Sequence, residues 1–376
     1  MIQRHLANIY RLGVKELWSL VRDPVMLVMI GFMFTAMVYS AATATPETLH
    51  KAAIAIVDED GSPLSARIQS AFYPPHFQPP AMVALDEVDT GMDAGRYTFA
   101  LDIPPGFQED VLAGRSPTVQ LNVDATLMTQ AFSGSGYVQQ MVLGEVSEFA
   151  QRHRSLASSP VALTTRVRFN PELTHAWFGS LMEIINNVTL LAIILTGAAL
   201  IREREHGTIE HLLVMPVTPT EIMLAKVWSM GLVVLITATL SLMLVVQGLL
   251  HVPIEGSIAL FVVGMTLHLF ATTSMGIFMA TVARNMPQFG MLLVLTMLPL
   301  QLLSGGATPR ESMPAFIQNL MLVAPTTHFV QLGQAILYRG AGIEVVWPPF
   351  LALALIGSLL FTFSLARFKK AISLMA

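Results

Sequence analysis

The run AWFGSLMEIINNVTLLAIILTGAALI fills Ala176 to Ile201 and holds no lysine or arginine. A helix rises about 1.5 Å per residue, so about 20 apolar residues cross roughly 30 Å of hydrocarbon. This stretch therefore has the length and composition of a membrane-spanning helix. Five more qualify: Val25 to Ala44, Val227 to Leu250, Ile258 to Ala283, the shorter Phe289 to Leu303, and Val345 to Ala366. None carries lysine or arginine. The whole chain agrees, with 376 residues, mean hydropathy +0.61 and only 12% charged residues, too apolar for an ordinary soluble domain. The expected fold is an α-helical polytopic membrane protein with six transmembrane helices.

Basic residues set the orientation, because they are retained on the cytoplasmic side. Arg4, Arg11, Lys15, Arg22, Arg202, Arg204, Lys226, Arg284, Arg367, Lys369 and Lys370 fall on one side, eleven in all. The short connections on the other side hold Arg310 and Arg339. Both termini are expected inside, in a multi-pass protein of a bacterial inner membrane. The first apolar run is too long, its leader too extended and the later spans too many for a cleaved signal peptide.

Residues 1–24 read as an interfacial amphipathic helix. At about 100° per residue, Leu6, Ile9, Tyr10, Gly13, Leu17, Leu20 and Val21 share one arc, and Arg4, Arg11, Lys15 and Arg22 lie opposite. Asp23-Pro24 supplies an N-cap and a first-turn proline for the first span, 25–44. Residues 45–175 change composition abruptly, holding 15 of the 25 acidic and 8 of the 21 basic residues. Ala52 to Val57, Tyr97 to Ile103 and Thr118 to Val123 read as strands followed by helical patterns, which predicts a small mixed α/β domain on the periplasmic side. Residues 176–366 carry the second to sixth spans, and 367–376 form a cytoplasmic tail.

Several patterns in 45–175 carry no chemistry. Asp58-Glu59-Asp60-Gly61-Ser62 begins like a calcium loop, but its glycine stands fourth instead of sixth and Gln69 replaces the terminal acid, so a turn after a strand is expected. Gly134-Ser135-Gly136 lacks the third glycine of a dinucleotide fingerprint and reads as a break in the helical run Thr126 to Arg154. Tyr73-Pro74-Pro75 and Gln78-Pro79-Pro80 flank an extended connector. The chain has no cysteine, so no disulfide or thiolate metal site forms. Neither a metal site nor a bound cofactor is expected. A net charge of -4 gives no field for nucleic acid.

After the second span the chain runs REREHGTIEHLLVMPVTPTEIMLAK, Arg202 to Lys226. Gly207 permits a turn, Thr208 can cap a short helix with Ile209, Leu212 and Leu213 on one face, and Pro216 ends it. Thr218-Pro219-Thr220-Glu221 is a capping box with proline first. The result is a short crosswise helix between two spans, able to dock a soluble partner or to rest on lipid.

The motif Glu205-x-Gly207-Thr208-x-Glu210-x-Leu212-Leu213-x-x-Pro216 resembles the signature of ABC-2 type transport permeases. The likeness extends to Lys15-Glu16, Arg22-Asp23-Pro24, and Leu303-Ser304-Gly305-Gly306 with Pro314. It implies that this loop is the coupling helix for an ABC ATPase subunit, with Glu205, Gly207, Thr208, Glu210, Leu212, Leu213 and Pro216 as coupling residues. It also implies a dimer with itself or a sister permease and, in many members of the subgroup with a large periplasmic domain, a periplasmic adaptor. The chain has no Gly-x-x-x-x-Gly-Lys-Ser/Thr loop, so ATP and Mg would be bound by the partner and this subunit is no enzyme. The resemblance does not name a substrate.

Polar residues in spans are costly and stand as functional candidates. Glu183, with Asn186 and Asn187, either lines a translocation pathway or anchors the span near the headgroups. His268, Gln247 and Gln301 suit helix-to-helix hydrogen bonds. Between the last two spans, Thr308-Pro309-Arg310-Glu311 reads as a capping box, with Phe316, Leu320 and Val323 on one apolar face. A second helix from Thr326 or Thr327 gathers Phe329, Leu332, Gly333 and Ile336. Residues 304–344 are thus expected to form re-entrant helices, which in the resembled family close the outer end of the pathway. Two rival classes are a membrane-anchored receptor or envelope scaffold and an intramembrane enzyme. For the latter, no Ser-Lys, paired-Asp or His-Glu-x-x-His arrangement stands at a usable position.

Overall fold

The computed structural model describes residues 2–43, 51–124, 128–153, 175–205, 217–306 and 308–373. The chain divides into two compact units, residues 1–45 with 168–376, and residues 46–167.

Among the described residues of the first unit, six helices are long and apolar enough to cross a membrane: Pro24–Thr43, Ala176–Glu205, Pro219–Leu249, Ile258–Val282, Met286–Leu303 and Ile343–Lys370. The second is central, with 83% of its apolar stretch buried, against 17% to 22% for the first, fifth and sixth. Its core residues Ile184, Val188, Leu191 and Leu195 meet Val234, Met265 and Leu269 of the third and fourth spans. The peripheral spans expose Val28, Met291, Leu295, Leu359 and Phe363. In water such a surface would aggregate, whereas lipid tails cover it without cost.

The ends follow local chemistry. The Asp23 carboxylate accepts from Met26 N at 3.1 Å and caps the first span. Both halves of the Thr218–Glu221 capping box form, so the third helix starts at Pro219, two turns ahead of its apolar stretch. The first span widens into a π-helical turn at Met33–Met37. Carbonyls of that turn accept hydrogen bonds from neighbouring spans: Asn187 donates to Met33 O at 2.7 Å, and Ser241 Oγ donates to Phe34 O.

The segment between the fifth and sixth spans departs from expectation at one point. The capping box expected at Thr308 does not form. Pro309 stays extended, its side chain caps nothing, and only a short turn, Arg310–Ser312, follows. The first helix begins instead at Ala315, after Pro314. Ala315–Val323 and Pro325–Tyr338 meet at a bend of 93°. Phe316, Leu320 and Val323 are exposed, whereas Phe329, Leu332 and Ile336 are fully buried.

The second unit holds a four-stranded mixed sheet in the order β2-β1-β3-β4. Its strands are β1 (Ile54–Asp58), β2 (Ala81–Met82), β3 (Phe99–Ile103) and β4 (Gln120–Val123). β1 runs parallel to β2 and β3, and β4 pairs antiparallel with β3, placing Phe99 opposite Val123. Ile54 and Ile56 bury into one cluster with Leu64, Ile68, Phe99 and Phe149. Ala55 and Val57 meet Val88 on the other face. Covering both faces explains why β1 is a continuous apolar run. Asp58 Oδ1 accepts from Asp60 N and Gly61 N, and Ser62 caps the next helix, so Asp58 to Ser62 is the turn expected there. The break expected at Gly134–Gly136 is absent. One helix runs unbroken over Met128–His153, because Val138, Phe149 and Ala150 dock on the core and tertiary packing outweighs the cost of two helical glycines, about 1 kcal/mol each. Between the two proline pairs, the chain is tied down: Phe77 is fully buried and bridges to Ala52.

Candidate functional site

Of the seven expected coupling residues, Gly207, Thr208, Glu210, Leu212, Leu213 and Pro216 lie outside the described residues. Glu205 is described, and so are both flanks of the loop.

On the upstream flank, the last turn of the second span ties together three other helix ends. Arg202 pairs with Asp23, the cap of the first span, at 2.8 Å. The Arg204 guanidinium donates to Ala280 O and Ala283 O at the C-terminal end of the fourth span, where carbonyls lack helical partners and cations are favoured. Glu205 accepts from Met286 N at 3.1 Å, at the start of the fifth span, where a negative charge is favoured for the mirror reason.

The downstream flank is fixed to the N-terminal helix, Ile2–Val21. Glu221, 3% exposed, completes its own capping box and also accepts from Asn8 Nδ2 at 3.0 Å, with His5 Nδ1 at the same distance. Trp228 Nε1 donates to Ile9 O at 3.2 Å, and Tyr10 stacks on the Trp228 ring. Gly13 is needed for this close approach, since a Cβ there would lie 2.2 Å from Trp228 Cζ2. The N-terminal helix therefore buries part of its apolar face on the third span, leaving Leu6, Tyr10 and Val21 exposed. Glu16, on the buried side, is 7% exposed.

A buried ion cluster joins the two flanks. Lys226, 2% exposed, lies 3.0 Å from Glu16 and 2.8 Å from Glu203. Lys15 lies 3.0 Å from Glu203 and 3.7 Å from Glu16. Two cations and two anions balance, which makes burial of a lysine tolerable. Burial raises the Glu16 carboxyl above the ordinary carboxylate range, while Lys226 and Lys15 act against that rise and Glu203 adds to it. Sequence reasoning counted Lys226 as a loop cation and missed this cluster. A signal was present: a helix begun by the box at Thr218 carries Lys226 two turns inside, where a charge needs a partner.

The three pathway candidates on the second span have different surroundings. Glu183 and Asn186 are half-buried. Asn187, 2% exposed, is turned to the first span by its bond to Met33 O. His268 makes the expected interhelical bond, Nε2 to Thr189 Oγ1 at 2.9 Å, and stacks on Phe329. Among the described residues no group of three or more histidine, aspartate or glutamate side chains is placed to hold a metal ion.

Residues 24–366 match the family described as "ABC-2 family transporter protein". The chain is 63% identical over 373 residues to the "Inner membrane transport permease YhhJ" of Escherichia coli (strain K12), covering 99% of this chain and all of that one. It is 27% identical over 338 residues to the "Probable multidrug ABC transporter permease YbhR" of the same strain, covering 89% and 90% of the two chains. The "Probable multidrug ABC transporter permease YbhS", also from that strain, is 29% identical over 261 residues, 68% of each chain. With a full-length transport permease as relative and the family match running from the first apolar helix into the sixth, the chain belongs to the ABC-2 family of membrane transport permeases.

Proposed function

We propose that this chain is the membrane-spanning subunit of an ATP-driven exporter, moving substrate out of the cytoplasm or inner membrane while a separate ABC ATPase subunit binds ATP and Mg. The observation that carries this reading is the pair of fixed flanks around residues 206–216. Arg204 and Glu205 tie the upstream stem to the fourth and fifth spans, and Lys226 ties the downstream stem to Glu203 and Glu16. A force applied to the loop would then move several spans together instead of being lost in a slack connection. The six motif residues within the loop, with Glu205 at its upstream edge, are the proposed docking element.

On this reading both termini are cytoplasmic, the unit at 46–167 is periplasmic, and the bent helices at 315–338 close the outer end. The chain works as a homodimer or beside a sister permease, and a periplasmic adaptor is a further partner. Glu183 and Asn186 are the proposed pathway groups, with Asn187 held to the first span. Relatives at 27% to 29% identity carry the words "probable multidrug" in their names, so apolar drug-like compounds are the first substrates to assay.

Copurification tests the partnership. Gentle solubilisation of native membranes and capture on a tagged copy of this chain should bring down an ATP-hydrolysing subunit in comparable amount. A chain that arrives folded and without any ATPase would contradict the proposal.

A further inference from the structure

Arg310 and Arg339 are the two basic residues that the orientation count leaves in the short connections opposite the other eleven. Both line the same cavity, about 460 Å³, between the end of the fifth span and the bent helices. Ser304, Thr327, Gln331, Gln334 and the exposed Glu311 are its other polar side chains. Neither arginine makes an ion pair among the described residues.

Two donors at this cavity lack partners among the described residues. Thr327 is 1% exposed, lines the cavity, and its hydroxyl has no hydrogen-bond partner among the described residues. Arg310 donates through Nη2 to Gln318 O at 3.3 Å, yet its buried Nε has no partner among the described residues. Buried polar atoms almost always find partners, so two such donors at one cavity call for an acceptor. The turn before them is shaped for the arginine. Gly305 has φ +93, and a Cβ there would come within 3.1 Å of Arg310 Cγ, so glycine both permits the backbone and leaves room for the stem.

We propose that this cavity binds a phosphate-type oxyanion. Two guanidinium groups against one carboxylate leave the lining net positive. A hydroxyl and two amides from the helix Pro325–Tyr338 add donors beside the two guanidinium groups, which suits a tetrahedral group with several acceptor oxygens. The oxyanion comes from a lipid headgroup or from a soluble phosphate. Exposed Phe316, Leu320 and Val323 on the adjoining helix offer apolar surface for acyl chains if it is a lipid. The inference does not depend on the sidedness or on the ATPase partnership.

The test is titration of the full chain, purified in neutral detergent, with dihexanoyl phosphatidylglycerol, with inorganic phosphate, and with dihexanoylglycerol as the phosphate-free control. Binding of the phosphatidylglycerol alone assigns a lipid headgroup, and binding of inorganic phosphate assigns a soluble ligand. In either case Arg310→Gln should weaken binding about tenfold, with Arg310→Lys retaining more of it. Arg339→Gln, at an exposed position that folding tolerates, should weaken it similarly. Thr327→Val should cost less. Absence of binding by both phosphate compounds, equal binding of the control, or unchanged affinity in the folded Arg339→Gln variant would overturn the proposal.

Discussion

Lys226→Met should be the most damaging single substitution at the ion cluster, lowering stability by about 3–5 kcal/mol. Methionine fills the space, but Glu16 and Glu203 would be left buried with only the half-exposed Lys15 between them. Much of the loss is therefore the cost of two stranded carboxylates rather than of the absent ammonium. The triple variant Glu16→Gln, Glu203→Gln, Lys226→Met separates the two, because no ionised group then remains unpaired except Lys15, which can turn to water. Its unfolding temperature in detergent should recover most of the loss seen in the single variant. Lys15→Ala should cost under about 1 kcal/mol, as expected for a partner half in solvent. If Lys226→Met unfolds at the wild-type temperature, the cluster does not hold the two flanks together.

Leu212→Asp should leave folding and insertion intact yet remove ATP-driven transport. The residue lies on the apolar face expected of the crosswise helix. Burying an unpaired carboxylate against a partner surface costs several kcal/mol; about 3 kcal/mol corresponds to roughly a hundredfold weaker association. Coexpression with the copurifying ATPase, followed by capture and a transport assay in inverted vesicles, reads both effects. Wild-type association together with wild-type transport would remove Leu212 from the contact.

Much of the membrane unit was legible because its signals are local. A span needs about 20 apolar residues, and a capping box needs only four positions, so both the spans and the start of the third helix at Pro219 could be read directly. The buried face of the second bent helix was likewise visible in the spacing of Phe329, Leu332 and Ile336. The ion cluster was not, since Lys226 and Glu16 stand 210 positions apart and only the fold brings them together. The π-helical turn at Met33–Met37 has the same origin, its carbonyls being taken up by Asn187 and Ser241 from other spans. Two local readings failed for opposite reasons. At Gly134–Gly136 long-range packing carried a helix through poor formers, whereas at Thr308 a sound capping pattern had too short a turn behind it to become a helix.

The coupling loop offers the most direct test of the whole reading, because the chain has no cysteine of its own. A single cysteine placed at His211 can carry a short bifunctional cross-linker in membranes that also contain the ATPase. The expected product joins this chain to the ATPase, and its yield changes when ATP is added. A control cysteine at Ser62 should give no such product. No cross-link from His211, with the ATPase captured instead from Ser62, would contradict both the docking site and the orientation.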